Sequence, residues 1–489
     1  MNFRSEVRER LAAEQGTVRK HAPERVALCY PSPYRVGMSS LGFQSIYREI
    51  NNRPSSVAER AFLPDDVESY RRTRTPVFTY ESEQAISEYP VIAISVAYEI
   101  ELAGVIQLLE LSGIPALAEE RTAQHPFILC GGPLTNSNPL PLAPFADAIV
   151  MGEADQAIHH VLDVIFSASS RDSALQGLAS MCFVPSLHGD ELPAIAQADN
   201  SALPAWSLIR TPNTELSDMF LIEVERGCSR GCQYCVMRRS TNGGMRIVPL
   251  ERVLSLVPED ARKVGLVGAA VSDHPKIVQI VSDLADQGRQ VSLSSLRPDR
   301  LTEPFVAALK KAGARALTTA LDASSQRLRD RIDRKAKEQH FLRIIQLVKD
   351  HNLHHLKVYM MVGLPDETDA DIDELIRFAR ELGRIHPLAI GVSPFVAKRN
   401  TPLDGADFAG ITTVDARLSR LRRGLQGQVE LRATSARWAY VEYVLAQGSW
   451  AEGRAVLEAV HAGGRFSDYK AAFKVLPESR KRRALRVVA

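Results

Sequence analysis

The stretch ERGCSRGCQYCVMR, residues 225–238, holds three of the six cysteines in this 489-residue chain. Cys228, Cys232 and Cys235 follow the spacing C-x3-C-x2-C, which core packing does not call for. A structural zinc site needs four closed ligands, yet no cysteine follows Cys235 and the nearest downstream histidine is His274. Soft thiolates without a nearby imidazole favour iron and sulfur. The spacing therefore predicts an iron–sulfur cluster with one iron left open, and a zinc site completed by a distant ligand is the alternative.

Small and basic residues surround these cysteines. Gly227 and Gly231 allow the tight loop that wrapping a cluster requires. Four arginines supply positive charge near an anionic cluster, or are solvated or paired with acidic residues: Arg226, Arg230, Arg238 and Arg239.

Strand-like apolar runs begin beside the cysteines and continue along the chain. Each is followed by a segment of helical spacing; the runs are MFLIEVERG, RKVGLVGAAV, QVSLSSL, RALTTALDAS, LKVYMMVGLP and LAIGVSPFV. This alternation predicts a partial TIM barrel over residues 216–405, whose chemistry belongs at the C-terminal ends of the strands. The cysteines lie just after the first strand, where that rule places a site.

A second α/β domain is predicted upstream. Residues 1–22 are expected to form one helix, and residues 23–170 contain the continuous apolar runs RVALCY, PVIAISVA, PFILCGG and DAIVMGEAD. Such strands are buried on both faces, which predicts a doubly wound, Rossmann-like parallel sheet with its ligand site at the strands' carboxyl ends. We expect residues 171–215 to be a linker and residues 406–489 a helical C-terminal extension.

Composition limits the functional classes. The 60 basic and 58 acidic residues nearly cancel, so nothing draws the whole chain to nucleic acid or to an anionic membrane. No apolar run approaches the roughly 20 residues that span a bilayer, and the polar start lacks a signal peptide, which predicts a cytoplasmic protein. The other cysteines lie singly in apolar runs, as buried reduced thiols do: Cys29, Cys130 and Cys182.

The cysteine stretch resembles the motif of the radical S-adenosylmethionine (SAM) superfamily, in which an aromatic residue, here Tyr234, precedes the last cysteine. The resemblance implies a [4Fe-4S] cluster on Cys228, Cys232 and Cys235, with SAM chelating the open iron. It also implies a 5′-deoxyadenosyl radical, formed with one electron that comes from a reducing partner of the flavodoxin or ferredoxin type.

Later segments resemble SAM-contacting stretches of the same superfamily. GLVGAAVSDHP stands where many members carry Gly-Gly-Glu-Pro; the Glu that touches the SAM amino group is missing here, which leaves Gly268 or another group as the candidate contact. SLSSLRPDRL offers Ser294 and Arg297 for the SAM carboxylate. Asp322, in ALDASSQRLRDRI, occupies the position of a family Glu, or caps the following helix.

The N-terminal domain resembles the cobalamin-binding domain that precedes many radical SAM barrels, chiefly through GGPLTNSNPLPLAPFADAIVMGEAD and LGFQSIYREINNRP. Domains that coordinate cobalt through histidine carry D-x-H-x-x-G after the first strand, whereas this chain has Ser32-x-Tyr34-x-x-Gly37. The resemblance implies base-off cobalamin without a histidine below cobalt, Tyr34 or Arg35 facing that side, or else a domain that has lost cobalamin. The implied cofactor-binding residues are Tyr34, Arg35, Gly42, Tyr98, Gly131, Gly132, Gly152 and Glu153.

Together these resemblances imply a cobalamin-dependent radical SAM methyltransferase that acts on an unactivated carbon by way of the radical and methylcobalamin. A cyclisation or rearrangement on the same cofactors is one alternative. Methylthiotransferase chemistry is another, although those enzymes hold a second cluster on three N-terminal cysteines. A cofactor-binding regulator is the non-enzyme alternative. The substrate stays open among small molecules, peptides and lipids, and a nucleic acid is not expected.

Overall fold

The computed structural model describes residues 3–237, 244–294 and 296–476. Arg238, Arg239 and the basic tail therefore lie outside the described residues. The strands are, in chain order, β1 (Glu24–Tyr30), β2 (Ser56–Phe62), β3 (Val91–Ser95), β4 (Phe127–Gly131), β5 (Ala148–Ile149), β6 (Met219–Glu223), β7 (Glu225–Gly227), β8 (Met245–Ile247), β9 (Lys263–Val267), β10 (Gln290–Leu293), β11 (Leu317–Asp322), β12 (Leu356–Val362), β13 (Leu388–Pro394) and β14 (Glu430–Ala433).

The α-helices are, in chain order, α1 (Phe3–Ala12), α2 (Tyr34–Gly37), α3 (Leu41–Asn52), α4 (Val67–Thr73), α5 (Leu102–Leu111), α6 (Ala154–Ser167), α7 (Arg171–Leu178), α8 (Pro185–His188), α9 (Leu250–Leu256), α10 (Ile277–Asp286), α11 (Glu303–Lys311), α12 (Gln326–Arg331), α13 (Glu338–Asp350), α14 (Asp369–Ile385), α15 (Ile411–Leu425), α16 (Ala436–Ala446), α17 (Trp450–His461) and α18 (Phe466–Lys474). Short 3-10 helices cover Ile86–Glu88, Glu99–Glu101, Ala118–Glu120, Pro133–Asn136, Leu140–Phe145, Asn200–Ala202 and Val271–Asp273. None of the described helices is long and apolar enough to cross a membrane.

The chain forms two compact units, Met1–Phe220 with Val444–Ala489, and Leu221–Tyr443. The first contains a five-stranded parallel sheet of order β2-β1-β3-β4-β5. The order changes direction between β1 and β3, which makes their carboxyl ends the expected ligand edge. The α/β class and the parallel sheet expected from sequence are confirmed.

Strand β2 was not among the apolar runs of the sequence because Arg60 interrupts it. Its guanidinium is fully buried and pairs with Glu14 and Glu81, each at 2.7 Å. Burial opposes the charge on Arg60, but the two carboxylates outweigh it and hold the pKa of Arg60 well above its usual value. A charged triad thus replaces the apolar contacts that the pattern looks for.

The structure differs from the expected boundaries in three places. The first helix ends at Ala12 rather than near residue 22. Gly16 follows with a φ of 98°, and a Cβ there would lie 2.1 Å from the Leu208 carbonyl oxygen, so both the backbone conformation and the close packing require glycine. The predicted linker 171–215 belongs to the first unit, where Phe183 is buried and exchanges backbone hydrogen bonds with Ile149 at 2.8 and 2.9 Å.

The predicted C-terminal extension 406–489 is divided between the two units. β14 pairs in parallel with β13 and so continues the sheet of the second unit, although its four residues carry no apolar run. Helix α17 belongs to the first unit. It packs closely there, because a Cβ at Gly453 would lie 2.1 Å from the Pro141 carbonyl oxygen. Arg454 adds an ion pair with Glu119 at 2.6 Å.

The second unit contains two sheets, of order β10-β9-β6 and β11-β12-β13-β14. The pairings of β10 with β9, of β11 with β12, of β12 with β13 and of β13 with β14 are all parallel. Helices cover them because their apolar residues recur every three or four positions; in α14 the buried set is Ile372, Leu375, Phe378, Ala379 and Leu382. The expected strand–helix alternation is present, and the closed arrangement of a partial barrel remains a prediction.

Candidate cluster and cofactor sites

A short antiparallel ribbon closes the loop that carries the three cysteines. β7 pairs with β8 so that Gly227 lies opposite Met245, which brings the two ends of the loop together. Gly227 has a φ of 94°, a conformation that favours glycine. The Gln233 N–H donates to the Ile332 carbonyl oxygen at 3.1 Å and anchors the loop at the other side. The ribbon and this anchor fix the cysteines in one turn.

The three thiols lie near one another and away from bulk water. Cys232 is buried and the other two are half-buried. Burial raises the pKa of Cys235, and the neighbouring Cys232 and Cys228 raise it further. Burial is also the main cause that raises the pKa of Cys228. The turn therefore gathers three thiols that an iron–sulfur cluster can hold as thiolates.

The donor set fits a four-iron cluster better than a zinc ion. Among the described residues, no three His, Cys, Asp or Glu side chains have the arrangement of a single-ion site. His274, the nearest downstream histidine, is buried and bonds through Nε2 to the Val248 carbonyl oxygen at 2.9 Å. A four-iron cluster instead bonds each of three thiolates to a different iron and leaves one iron without a protein ligand.

A basic cavity of about 440 Å³ adjoins the cysteine loop. Its lining includes Arg230 of the loop, Asp273, Arg297, Arg300 and Arg334. Asp273 accepts hydrogen bonds from Arg230 at 2.8 Å and Arg300 at 2.9 Å. Burial acts to raise the pKa of Asp273, but the arginines outweigh it and lower that pKa. Because guanidinium groups outnumber carboxylates in this set, the cavity suits an anionic group.

Arg297, a predicted contact to the SAM carboxylate, lies in the wall of this cavity. Its backbone N–H donates to Ser272 Oγ at 2.9 Å, which fixes the residue. Its guanidinium is buried 3.1 Å from Asp299, yet Nε and Nη2 donate no well-formed hydrogen bond to any described residue. Burial lowers the pKa of Arg297. The unused donors leave it able to receive a carboxylate.

Ser294, the other predicted carboxylate contact, is engaged by Gly268. Its hydroxyl donates to the Gly268 carbonyl oxygen at 2.9 Å and accepts the Gly268 N–H at 3.1 Å. The side chain thus fixes the backbone at the end of β9. The structure therefore brings the predicted residues Ser294 and Gly268 together, and it gives Ser294 the role of positioning the Gly268 backbone.

Asp322 is paired with Arg334 and does not cap the following helix. Its φ of 64° is unusual for an aspartate, and its carboxylate forms an ion pair with the Arg334 guanidinium. The cap of α12 is Ser325, whose hydroxyl accepts the Leu328 N–H at 3.3 Å, so the helix-cap alternative is wrong. Tyr234 lies nearby: burial raises the pKa of its hydroxyl, and the charge of Asp322 adds to that. The pair therefore stands beside the cysteine turn.

In the first unit, Tyr34 belongs to the core. Its hydroxyl donates to Glu14 at 2.6 Å, and its ring stacks on Tyr80 with centroids 5.2 Å apart. Tyr34 is 1% exposed, so the expectation that it faces a ligand is corrected. Arg35 is exposed and pairs with Glu215 at 3.2 Å, and it remains the candidate from this loop.

Two predicted glycines are explained by backbone packing. At Gly132, where φ is 107°, a Cβ would lie 2.7 Å from the Val96 carbonyl oxygen. At Gly152, where φ is 84°, it would lie 2.1 Å from the Ile195 side chain. Glu153 accepts the Ala198 N–H at 2.9 Å and closes the same turn. These residues shape the loops after β4 and β5.

Three other predicted residues, near the carboxyl ends of the strands, adjoin empty space or solvent. Nothing lies within 4 Å of a Cβ built on Gly42, and at Gly131 the nearest atom is 3.6 Å away. Tyr98, just after β3, is 46% exposed. Cobalamin binding at this edge through Arg35, Gly42, Tyr98 and Gly131 stays a prediction.

The sequence reasoning missed Glu225 as a site residue. Its carboxylate is fully buried against the end of β9 and accepts the Ala270 N–H at 2.6 Å. A signal was available, because an acidic residue three positions before the first cysteine follows a buried strand.

Family models match two separate stretches of the chain. Residues 222–379 match the model of the radical SAM superfamily, and residues 42–185 match that of the N-terminal part of radical SAM proteins. The chain carries radical SAM family domains. The cysteine turn, Arg297 and the Asp322–Arg334 pair all fall within the first of these matches.

The curated relatives of the chain are distant. An uncharacterised protein of Methanocaldococcus jannaschii is 26% identical and covers 79% of the chain and 80% of its own length. An uncharacterised methyltransferase of Pyrococcus horikoshii is 21% identical over 53% of the chain and 59% of its own length. A threonylcarbamoyladenosine tRNA methylthiotransferase of Chlamydia pneumoniae is 25% identical over 37% of the chain and 45% of its own length.

Among solved structures, the radical SAM chain is similar to the cobalamin-dependent S-adenosylmethionine radical enzyme OxsB with aqua-cobalamin bound. The two share 12% identity with a TM-score of 0.44. The match covers 73% of this chain and 52% of that one.

Proposed function

We propose that the protein is a cobalamin-dependent radical SAM methyltransferase that methylates an unactivated carbon. The observation that carries the proposal is the turn of Cys228, Cys232 and Cys235, which gathers three partly or fully buried thiols with the spacing C-x3-C-x2-C. Bound there, a [4Fe-4S] cluster supplies an open iron and one electron for SAM, and cobalamin supplies a carrier for the methyl group.

The residues of the second unit fit the binding and orientation of SAM. Arg297 offers a guanidinium group with unused donors in the cavity beside the cysteine turn, where it would orient the SAM carboxylate. Partial burial limits the access of water to the thiols of the turn. A reducing partner of the flavodoxin or ferredoxin type would supply the electron.

Support for cobalamin comes from the first unit. Its parallel sheet changes direction between β1 and β3, and Arg35 in α2, Gly42 in α3, Tyr98 after β3 and Gly131 at the end of β4 follow the strands next to that edge. No histidine follows β1 in the loop that would face cobalt, so we infer base-off binding without a histidine ligand. The similarity to an uncharacterised methyltransferase favours methylation.

Methylthiotransferase chemistry is the second candidate because a tRNA methylthiotransferase is among the relatives. It would need three further cysteines for a second cluster. Cys29, Cys130 and Cys182 are at most 1% exposed, and burial raises the pKa of all three thiols. Buried neutral thiols on separate elements favour the methyltransferase.

Product analysis tests the proposal. The anaerobically reconstituted full chain is incubated with SAM, hydroxocobalamin and reductant, and 5′-deoxyadenosine and S-adenosylhomocysteine are quantified. We expect both products, and neither from a variant with all three cysteines of the turn changed to alanine. If neither product forms while cluster and cobalamin are both bound, the proposal fails. 5′-Deoxyadenosine without S-adenosylhomocysteine would favour cyclisation or rearrangement.

A further inference from the structure

Glu225 has an unused acceptor in a dry environment. The side chain is 0% exposed, and Oε1 accepts the Ala270 N–H at 2.6 Å. Oε2 is also buried, yet no described residue donates a hydrogen bond to it. A buried carboxylate with an unmet oxygen is unfavourable unless a donor arrives from elsewhere.

The neighbouring cations do not supply that donor. Arg226 is bidentate with Glu223, at 2.7 and 2.9 Å. Arg230 is bidentate with Asp273, at 2.9 and 2.8 Å. Burial raises the pKa of Glu225 to about 7, and the charges of Glu223 and Asp273 add to the effect. The two arginines are thus engaged by other carboxylates, and Oε2 of Glu225 is left without a donor among the described residues.

The position of this carboxyl group relates it to the cysteine turn. Glu225 begins β7, three residues before Cys228, and its side chain crosses to the end of β9. A Cβ at Gly268 would lie 2.2 Å from Oε1, so the glycine there leaves the space that the carboxylate occupies. The stretch from Gly268 to Ala270 has no acidic side chain of its own, and Glu225, at the start of β7, supplies one.

We propose that Glu225 accepts a hydrogen bond from the α-ammonium group of bound SAM. The inference rests on the proposed function, because it assumes that SAM binds beside the cysteine turn. An ammonium ion is the donor that a buried carboxylate with a free oxygen best accommodates, since charge and hydrogen bond are satisfied together. The guanidinium of Arg297, in the wall of the cavity beside the cysteine turn, would take the carboxylate of the same amino-acid moiety.

Equilibrium dialysis with the full chain tests the assignment without turnover. The reconstituted, oxidised protein is titrated with SAM, with S-adenosylhomocysteine and with 5′-methylthioadenosine, which lacks the amino-acid moiety. For Glu225→Gln we expect about tenfold weaker binding of the first two ligands, which corresponds to about 1.4 kcal/mol, and unchanged binding of the third. Glu223→Gln, which alters a carboxylate two residues away, is the matched control and should bind all three as the wild type does.

The outcomes separate the two claims. Absence of SAM binding to the reconstituted wild type would overturn the proposed function. Wild-type SAM affinity in Glu225→Gln, or an equal loss for 5′-methylthioadenosine, would overturn the assignment alone. Iron content is measured in each variant; should Glu225→Gln fail to load iron, Glu225→Asp replaces it, with the same three ligands and the same expected contrast.

Discussion

Replacing Gly268 by alanine should expose the close packing between the end of β9 and Glu225. The added Cβ would lie 2.2 Å from Glu225 Oε1 and 2.8 Å from its Cδ. The carboxylate must retreat by about 1 Å to reach ordinary contact distance, which breaks its 2.6 Å bond with the Ala270 N–H. Since Glu225 is fully buried, water does not replace the lost donor.

The cost has two parts. A buried acceptor left without its partner costs about 1–3 kcal/mol. Moving packed atoms to admit a methyl group costs about 1–3 kcal/mol. We therefore expect Gly268→Ala to destabilise the second unit by about 2–5 kcal/mol. In a Glu225→Ala background the contacts with the side chain are absent and only the backbone carbonyl oxygen of residue 225, at 3.1 Å, stays close, so the same change should cost less than about 1 kcal/mol.

These differences in the free energy of unfolding are measured by urea unfolding of the full chain. Pulsed hydrogen exchange and mass spectrometry of peptides from β9 and β10 report on the second unit. Gly244→Ala is the matched control, since nothing lies within 4 Å of a Cβ there, and should cost little. An equal penalty for Gly268→Ala with and without Glu225 would refute the reasoning.

Three further predictions follow from the same structure. Cys228→Ser should lower iron and sulfide content and remove the cluster's absorbance, whereas Cys29→Ala, in the core of β1, should leave both unchanged; retained iron in the first variant would contradict the assigned ligands. Arg60→Met leaves two buried carboxylates without their cation and should lower the free energy of unfolding of the first unit by about 3–5 kcal/mol in urea. Glu81→Gln should lower it less, and similar losses of stability in the two variants would argue against the triad. The Asn138 side-chain amide donates to three carbonyl oxygens at the end of α16, at 2.9 to 3.2 Å. Asn138→Ala should therefore speed hydrogen exchange in residues 444–461, and unchanged exchange would show that these hydrogen bonds do not hold the segment.

The sequence predicted what depends on local pattern. Continuous apolar runs located β1, β3 and β4 because parallel strands buried on both faces need them. The cysteine spacing predicted the turn because three ligands within eight residues need no distant partner. Gly227 was expected in a tight loop, and its φ of 94° agrees.

What the sequence left out depends on pairing between distant segments. Arg60 hid β2, since its partners Glu14 and Glu81 lie far away along the chain. Tyr34 looked available in a loop, but Glu14 draws its hydroxyl into the core. Glu225 stood inside the quoted stretch, yet its meaning depends on Gly268, which lies 43 residues further along the chain and leaves the space for it.

Electron paramagnetic resonance of the dithionite-reduced full chain, with and without SAM, tests the central claim most directly. We expect the signal of a reduced [4Fe-4S] cluster on the cysteine turn. The shape of that signal should change when SAM is added, because SAM binds the iron that lacks a protein ligand. A reduced cluster whose signal is the same with saturating SAM, or a reconstituted protein without a cluster, would contradict it.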